Sequence, residues 1–507
     1  MDASDGCSSA NEARPLSVRT KPRSAAAEWT TDDSWAEKEP VTPTARLMEN
    51  VYIVVTMGIG SPLNIPVFTA GVASQLARYP RFQSIQVADG SSKDGDRRWA
   101  RVKVNVHDHI IVPTLDPVAV EADADQAVED YVASLVALPM DPSRPLWEFH
   151  FLDLPTSEAT STAVIRVHHS LGDGMSLMTL LFATARSAAD PTRLPAMPKQ
   201  PERRGAIYVP PPRSAGALAF LRWVWSYLLL AWNTMVDVAF FAATVLFLSD
   251  PKTLFKRSDN MVFNIRRRFV HRSVSLDDVK FIKNAVNCTV NDVLVGVTSA
   301  ALSQYYFRKS GNTNTDQICL RSVLPVNLRA SSSLHKYVDM IESSKSDDVA
   351  WGNQLGYIIL PFHVAMLDDP LAYVRKAKKT LDRKKSSLEM LFTCKISELF
   401  LKMFGIKAGA FIFGRMFEHT TVAFSNMIGP TEPIELYGHP ITFISSSAYG
   451  VPQALIVHYQ SYGNSIMVTL SVDEEIFPDY SQLLDDFADS FWQIKDAASR
   501  LKYPLRE

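Results

Sequence analysis

Two adjacent histidines, His168 and His169, head the stretch with the clearest chemical capacity, His168-His169-Ser170-Leu171-Gly172-Asp173-Gly174. An imidazole titrates near neutral pH and can take a proton from an attacking nucleophile. A strand-like run, Thr162 to Val167, leads into the pair, and an apolar helical pattern, Met175 to Phe182, leaves it. Strand side chains alternate between faces, so one ring can enter a cavity while its neighbour is locked into the scaffold. Zinc fits poorly, because metal motifs place their ligands on one face and no third ligand cluster accompanies the pair. On the pair alone, two ordinary polar loop residues remain the bland alternative.

The elements around the pair read as mixed α/β. Tyr52 to Thr56 reads as a buried strand, Ile65 to Tyr79 as a helix, Trp99 to Val106 as an alternating strand and Ala124 to Leu138 as a further helix. Pro145-Leu146-Trp147-Glu148 opens a strand just before the histidine strand. In the second half, Ser275 to Val286 and Val293 to Phe307 have helical spacing, Leu320 to Asn327 and Leu355 to Val364 are strand-like, and Met390 to Phe417 reads as amphipathic helix pieces. Tyr462-Gly463-Asn464 marks a hairpin. Asn291-Asp292 suits either a helix N-cap or a site lining, Ser425-Asn426 a turn or a lining, and Trp147 a core position or a ligand contact.

Between the halves, residues 190–216 carry seven prolines at 191, 195, 198, 201, 210, 211 and 212, which excludes regular helix. The most apolar run of the chain follows, Ala217 to Leu248. Its Tyr227–Leu248 portion has the roughly 20 residues that a bilayer core requires. Asn233 and Asp237 interrupt it. A charge inside a spanning helix costs at least ~2.5 kcal/mol, which disfavours simple crossing. Lys252, Lys256, Arg257 and Arg266 to Arg268 lie downstream and suit an anionic membrane surface.

The chain has 507 residues with 52 basic and 54 acidic ones, a balance that gives no support to nucleic-acid binding. Cys7, Cys288, Cys319 and Cys394 are widely spaced, which argues against a disulfide framework and for a reducing compartment. Residues 1–38 have the composition of a disordered tail, with no apolar stretch of the secretory-signal kind. The expected division is a tail over 1–38, a lobe over 39–189, a Pro-rich linker over 190–216, an apolar membrane-associated helix over 217–250 and a second lobe over 251–507.

His-His, three residues, then Asp-Gly, set between strand and helix, resembles the signature of the acyltransferase superfamily built like chloramphenicol acetyltransferase and the condensation domains of peptide synthetases. The chain resembles its wax ester synthase/diacylglycerol acyltransferase branch, plant type. Pro145-Leu146-Trp147-Glu148, Asn291-Asp292-Val293-Leu294 and Ser425-Asn426-Met427-Ile428-Gly429-Pro430 resemble that branch's blocks in order. Pro40 to Arg46 and Gly352-Asn353-Gln354 are weaker landmarks, and the DFGWG motif of the plant alcohol acyltransferases is absent. The resemblance implies two acyltransferase lobes with mixed sheets. His169 would be the general base. His168, Gly172, Asp173 and Gly174 would form its scaffold, with Asp173 in a structural ion pair and the glycines allowing a tight turn and close backbone approach. Trp147, Asn291, Asp292, Ser425 and Asn426 would be candidates for the substrate site or lobe interface.

The implied reaction moves a long-chain acyl group from acyl-CoA, as substrate, to a fatty alcohol or diacylglycerol, with no metal or prosthetic group. The implied setting is the endoplasmic reticulum membrane, with the plasma membrane as a second, catalytic lobes in the cytosol and a role in surface or storage lipids. A single crossing by Tyr227–Leu248 would put the two halves of the site on opposite sides of a membrane, so an interfacial or re-entrant helix is expected. A superfamily acyltransferase with another acceptor, and a membrane-attached scaffold with a dead site, are the alternatives.

Overall fold

The computed structural model describes residues 39–88, 97–198, 210–212, 216–257, 266–311, 318–328, 334–343, 351–353 and 355–502. The expected tail over 1–38 and most of the Pro-rich linker lie outside them. Among the described residues, two large mixed sheets form the backbone of two lobes.

The first sheet has seven strands in the order Ile110–Ile111, Trp147–Leu152, Ser161–His168, Tyr52–Ile59, His439–Tyr449, Ile434–Leu436 and Ala185–Ser187. Its apolar face carries Phe68, Trp147, Phe149, Phe151, Leu180 and Ile444 in one core. The histidine strand is buried along its whole length, as a central strand with two covered faces should be.

The second sheet has six strands in the order Leu355–Val364, Ile318–Asn327, Val422–Met427, Leu455–Tyr462, Ser465–Asp473 and Arg267–Ser275. The helices Val290–Ser310, Pro370–Lys385 and Tyr480–Lys502 cover one face. Gly296 permits the close approach of the first two helices, because a Cβ there would lie 2.8 Å from the Val374 backbone. The expected hairpin is present, with Tyr462 opposite Ser465 and Gly463 at φ +56°.

The lobes do not follow the division of the chain near residue 250. His439–Tyr449 pairs along the whole of Tyr52–Ile59, so a late strand completes the first sheet. Leu334, Tyr337, Met340 and Ile341, on the helix Leu334–Ser343, also pack into the first core. The expected second lobe over 251–507 is corrected accordingly. Its sheet contains Arg267–Ser275 and later strands, but the helix Leu334–Ser343 packs into the first core and the strands Ile434–Leu436 and His439–Tyr449 join the first sheet. Local periodicity identifies a strand and says nothing of its partner.

The apolar helix runs Gly216–Leu246 and, among the described residues, is the one helix that by itself is long and apolar enough to cross a membrane. Its polar residues face the second lobe. Asn233 Nδ2 donates to the Ser386 carbonyl, and Thr234 Oγ1 accepts from the Leu388 backbone. Asp237 is fully buried against Arg383 and Lys384, and Lys384 also pairs with buried Glu389 at 2.6 Å. The opposite face, with Leu221, Trp225, Leu228 and Trp232, is exposed. Beside it lies the helix Glu389–Glu418, broken at Gly405, whose φ of +76° suits glycine. It exposes Ile396, Leu399, Met403, Phe404 and Phe411.

Candidate active site

The strand Ser161–His168 places the two histidines, and alternation separates their rings. His168 is buried on the scaffold side. Its Nε2 donates to the Glu49 carbonyl at 2.7 Å, and its Nδ1 accepts from the Ser170 backbone at 3.2 Å, with the Ser170 hydroxyl 2.7 Å away. Its ring meets Tyr52 edge-on. Burial pushes its pKa down to about 4, so the ring is neutral at physiological pH.

That shift couples the turn to acid. The folded-state pKa lies below the ordinary value near 6.5, so the neutral ring contributes stability that is complete above pH 6.5 and lost as pH falls towards 4. The contribution is about 3 kcal/mol at most. Urea unfolding at pH 7 and pH 4.5 is expected to show this loss, and His168→Gln is expected to flatten the dependence.

His169 is half-buried and points the other way. Its amide donates to the Val51 carbonyl at 2.8 Å. Its Nδ1 lies 3.0 Å from Asn353 Oδ1, and Asn353 Nδ2 donates to the His169 carbonyl at 3.0 Å. Burial lowers the His169 pKa, opposed by the Asp173 charge, its own carbonyl and Asn353. Lowering its pKa favours the neutral ring, the form that can take a proton.

Asp173 caps the helix Gly174–Thr184, accepting from the Ser176 backbone at 3.0 Å, and is almost wholly buried. Gly172 and Gly174 have no positive φ. What the two glycines supply here is space. A Cβ at Gly172 would lie 3.0 Å from the Trp351 ring, and one at Gly174 would lie 3.0 Å from Met427 Sδ.

These contacts show what closes over the histidine turn. Trp351 Nε1 donates to the Leu171 carbonyl at 2.6 Å, and the Gly352 carbonyl accepts from the Asp173 backbone and the Ser176 hydroxyl, each at 3.4 Å. Gly352 adopts φ +102°, which side-chain-bearing residues avoid. On the other side, Met427 ends the strand Val422–Met427 of the second sheet. Ser425 and Asn426 lie on that strand rather than in a turn, and Asn426 Nδ2 donates to Asn291 Oδ1 at 2.6 Å. The blocks around 291 and 425 thus meet each other, and Met427 joins them to the turn.

Asp292 is fully buried at the start of its own helix. Thr289 is the N-cap of Val290–Ser310, and Asp292 closes the reciprocal capping box, accepting from the Thr289 backbone at 2.7 Å. Lys385 Nζ lies 3.5 Å from its carboxylate. Trp147 is fully buried in the first core, stacked on His109 and donating to the Phe82 carbonyl at 2.9 Å. Asn353, which the sequence marks only as a weak landmark, is the residue that touches His169 through two bonds. Its signal is a polar amide directly after a glycine, and only the fold shows what that amide reaches.

Comparison with known proteins identifies the family and the fold. The family model described as the wax ester synthase/diacylglycerol acyltransferase catalytic domain matches residues 51–294, and the WS/DGAT C-terminal domain matches residues 351–495. The chain is 41% identical over 484 residues to wax ester synthase/diacylglycerol acyltransferase 4 of Arabidopsis thaliana, covering 92% of each chain. It is 40% identical to the protein numbered 5 of that plant, covering 90% of this chain and 94% of the relative. The fold matches that of the wax ester synthase/diacylglycerol acyltransferase from Marinobacter aquaeolei VT8, with a TM-score of 0.59 at 17% identity, covering 91% of this chain and all of that one. The first condensation domain of the calcium-dependent antibiotic synthetase shares it, with a TM-score of 0.56 at 13% identity over 93% and 98%. The chain belongs to the wax ester synthase/diacylglycerol acyltransferase family.

Proposed function

We propose that the protein transfers a long-chain acyl group from acyl-CoA to a fatty alcohol, giving a wax ester, or to diacylglycerol, giving triacylglycerol. The observation that carries this reading is His169, a half-buried imidazole with a lowered pKa whose Nδ1 lies 3.0 Å from Asn353, in a chain of this acyltransferase family. His169 takes the hydroxyl proton as the alcohol oxygen attacks the thioester carbonyl. The tetrahedral oxyanion collapses, the C–S bond breaks, and the imidazolium returns the proton to the departing CoA thiolate. His168, Gly172, Asp173 and Gly174 hold the turn, and Asn291, Ser425 and Asn426 line the approach from the second lobe. Trp147 and Asp292 support these elements from within the fold.

The test is purified protein with labelled palmitoyl-CoA and either hexadecanol or diacylglycerol. Labelled wax ester or triacylglycerol is the expected product. Absence of both would remove these substrates and leave another acceptor or an inactive scaffold. The kcat/KM profile is expected to lose activity on the acid side through a pKa below 6.5, as the base protonates.

The acceptors dissolve in membranes, and the exposed faces of Gly216–Leu246 and Glu389–Glu418 suit an interfacial seat. Lys402 and Lys407 add positive charge there. Asn233, Thr234 and Asp237 are bonded to the second lobe, which supports a seat with both lobes on one side of the bilayer; we assign that side to the cytosol, at the endoplasmic reticulum or plasma membrane. Changing Leu221, Trp225, Leu228 and Trp232 together to serine is expected to move the protein from the vesicle pellet to the supernatant with its melting point kept. Unchanged pelleting would sink this docking surface. Deleting the helix is a poorer test, because it also removes Asp237 from its buried partners.

A further inference from the structure

A general base needs one bare ring nitrogen, and the groups around His169 decide which one. The His169 carbonyl can only accept a hydrogen bond. It lies 3.0 Å from Asn353 Nδ2, so that side of the amide is its donor. The amide oxygen therefore faces His169 Nδ1, at 3.0 Å. An amide oxygen can only accept, so Nδ1 carries the hydrogen and the lone pair is on Nε2. Turning the amide over would set its oxygen against the His169 carbonyl oxygen, so the bond at that carbonyl decides the amide's orientation.

We infer that Asn353 is a positioning residue for the transfer: its two-bond clasp fixes His169 in the Nδ1–H tautomer and sets the ring plane, leaving Nε2 to take the acceptor's proton. This rests on the acyltransferase reading above. The clasp is itself held. Asn353 is buried, and its carbonyl accepts from the Thr44 hydroxyl at 3.3 Å. The two residues before it are bonded to Leu171, Asp173 and Ser176. All three residues of Trp351-Gly352-Asn353 are thus tied to the turn whose histidine they orient.

An amide here has a different effect from a carboxylate. A carboxylate would also accept from Nδ1–H, but its charge would favour the imidazolium and raise the base's pKa. An amide orients the ring while burial keeps it neutral. Partners of this kind, one step removed from the reacting atoms, typically cost 10–100-fold when lost.

Three variants and one spectrum test the assignment in the full-length protein. Asn353→Leu is expected to lower kcat about 10–100-fold with the KM for palmitoyl-CoA nearly unchanged. Asn353→Asp, close in shape, is expected to move the acid limb of the kcat/KM profile up by about one pH unit or more. His169→Ala combined with Asn353→Leu is expected to be no slower than His169→Ala, because Asn353 acts only through the ring. Imidazole 15N shifts, assigned by comparison with His169→Ala, are expected to show the Nδ1–H form in the wild type.

A wild-type pH profile for Asn353→Asp, a multiplicative loss in the double variant, or an Nε2–H spectrum would overturn the assignment. If Asn353→Leu fails to fold, the Asp profile and the wild-type spectrum decide. If the wild type makes neither ester, the functional reading falls and the spectrum alone decides the clasp.

Discussion

His169→Ala is expected to lower kcat by roughly 10²–10⁴-fold, the range that general-base action contributes. An alcohol is a poor nucleophile until its proton has somewhere to go. Among the ring's surroundings, Val51, Asn353 and the neighbouring turn fix its place, so removal of the imidazole leaves the pocket's framework standing. The variant should keep the wild-type melting point. Its residual rate should also lose the acid limb, because the titrating group has gone. Full activity in a folded His169→Ala protein would mean that another group takes the proton.

The second large effect concerns stability. Lys384→Met is expected to destabilise the protein by about 3–5 kcal/mol, the cost of leaving buried charge unpaired. Lys384 lies between Asp237 of the apolar helix and Glu389 at the start of the bent helix, and all three are nearly inaccessible to water. After the change, Asp237 keeps only Arg383 of its two cations, and Glu389 keeps the Ile359 backbone donor at 3.2 Å. Thermal melts should show the loss, and the apolar helix should become the first site of proteolysis. The triple variant Asp237→Leu, Lys384→Met, Glu389→Met is expected to be more stable than Lys384→Met, because it removes charges rather than stranding them. A melt of Lys384→Met that overlays the wild type would exclude this role for the triad.

Much of the site was legible because it is local. The histidine strand, the turn and the following helix are specified by residue types and spacing over about 25 positions, and they stand at Ser161–His168 and Gly174–Thr184. The 291 and 425 blocks could be named from family resemblance, and the fold brings Asn291 to Asn426. What escaped is non-local. Asn353 reaches His169 across 184 positions, and no periodicity encodes that bond. Asp237 reads as a flaw in an apolar helix until its partners Arg383 and Lys384 on the helix Pro370–Lys385 are seen. Trp99 to Val106 alternates like a strand, yet the strand ends at Arg101, and a tight helical turn takes Val106–His109. Alternation marks a chain with two faces, but a strand also needs a neighbour to pair with, and here pairing ends at Ser84 opposite Arg101.

The strand His439–Tyr449 has a consequence for the chain as it is made. Tyr52–Ile59 leaves the ribosome early, but its partner on one side follows about 380 residues later. At 5–20 residues per second, that edge waits roughly 20–80 s. During the interval the nascent first lobe presents an open, apolar edge strand, the kind of surface that pairs with the wrong chain. A stop codon between residues 185 and 439 would release a product that carries the histidine turn and whose sheet cannot close. Such truncated products should be found with chaperones or proteases, and a separately supplied piece carrying 434–449 should be able to complete them.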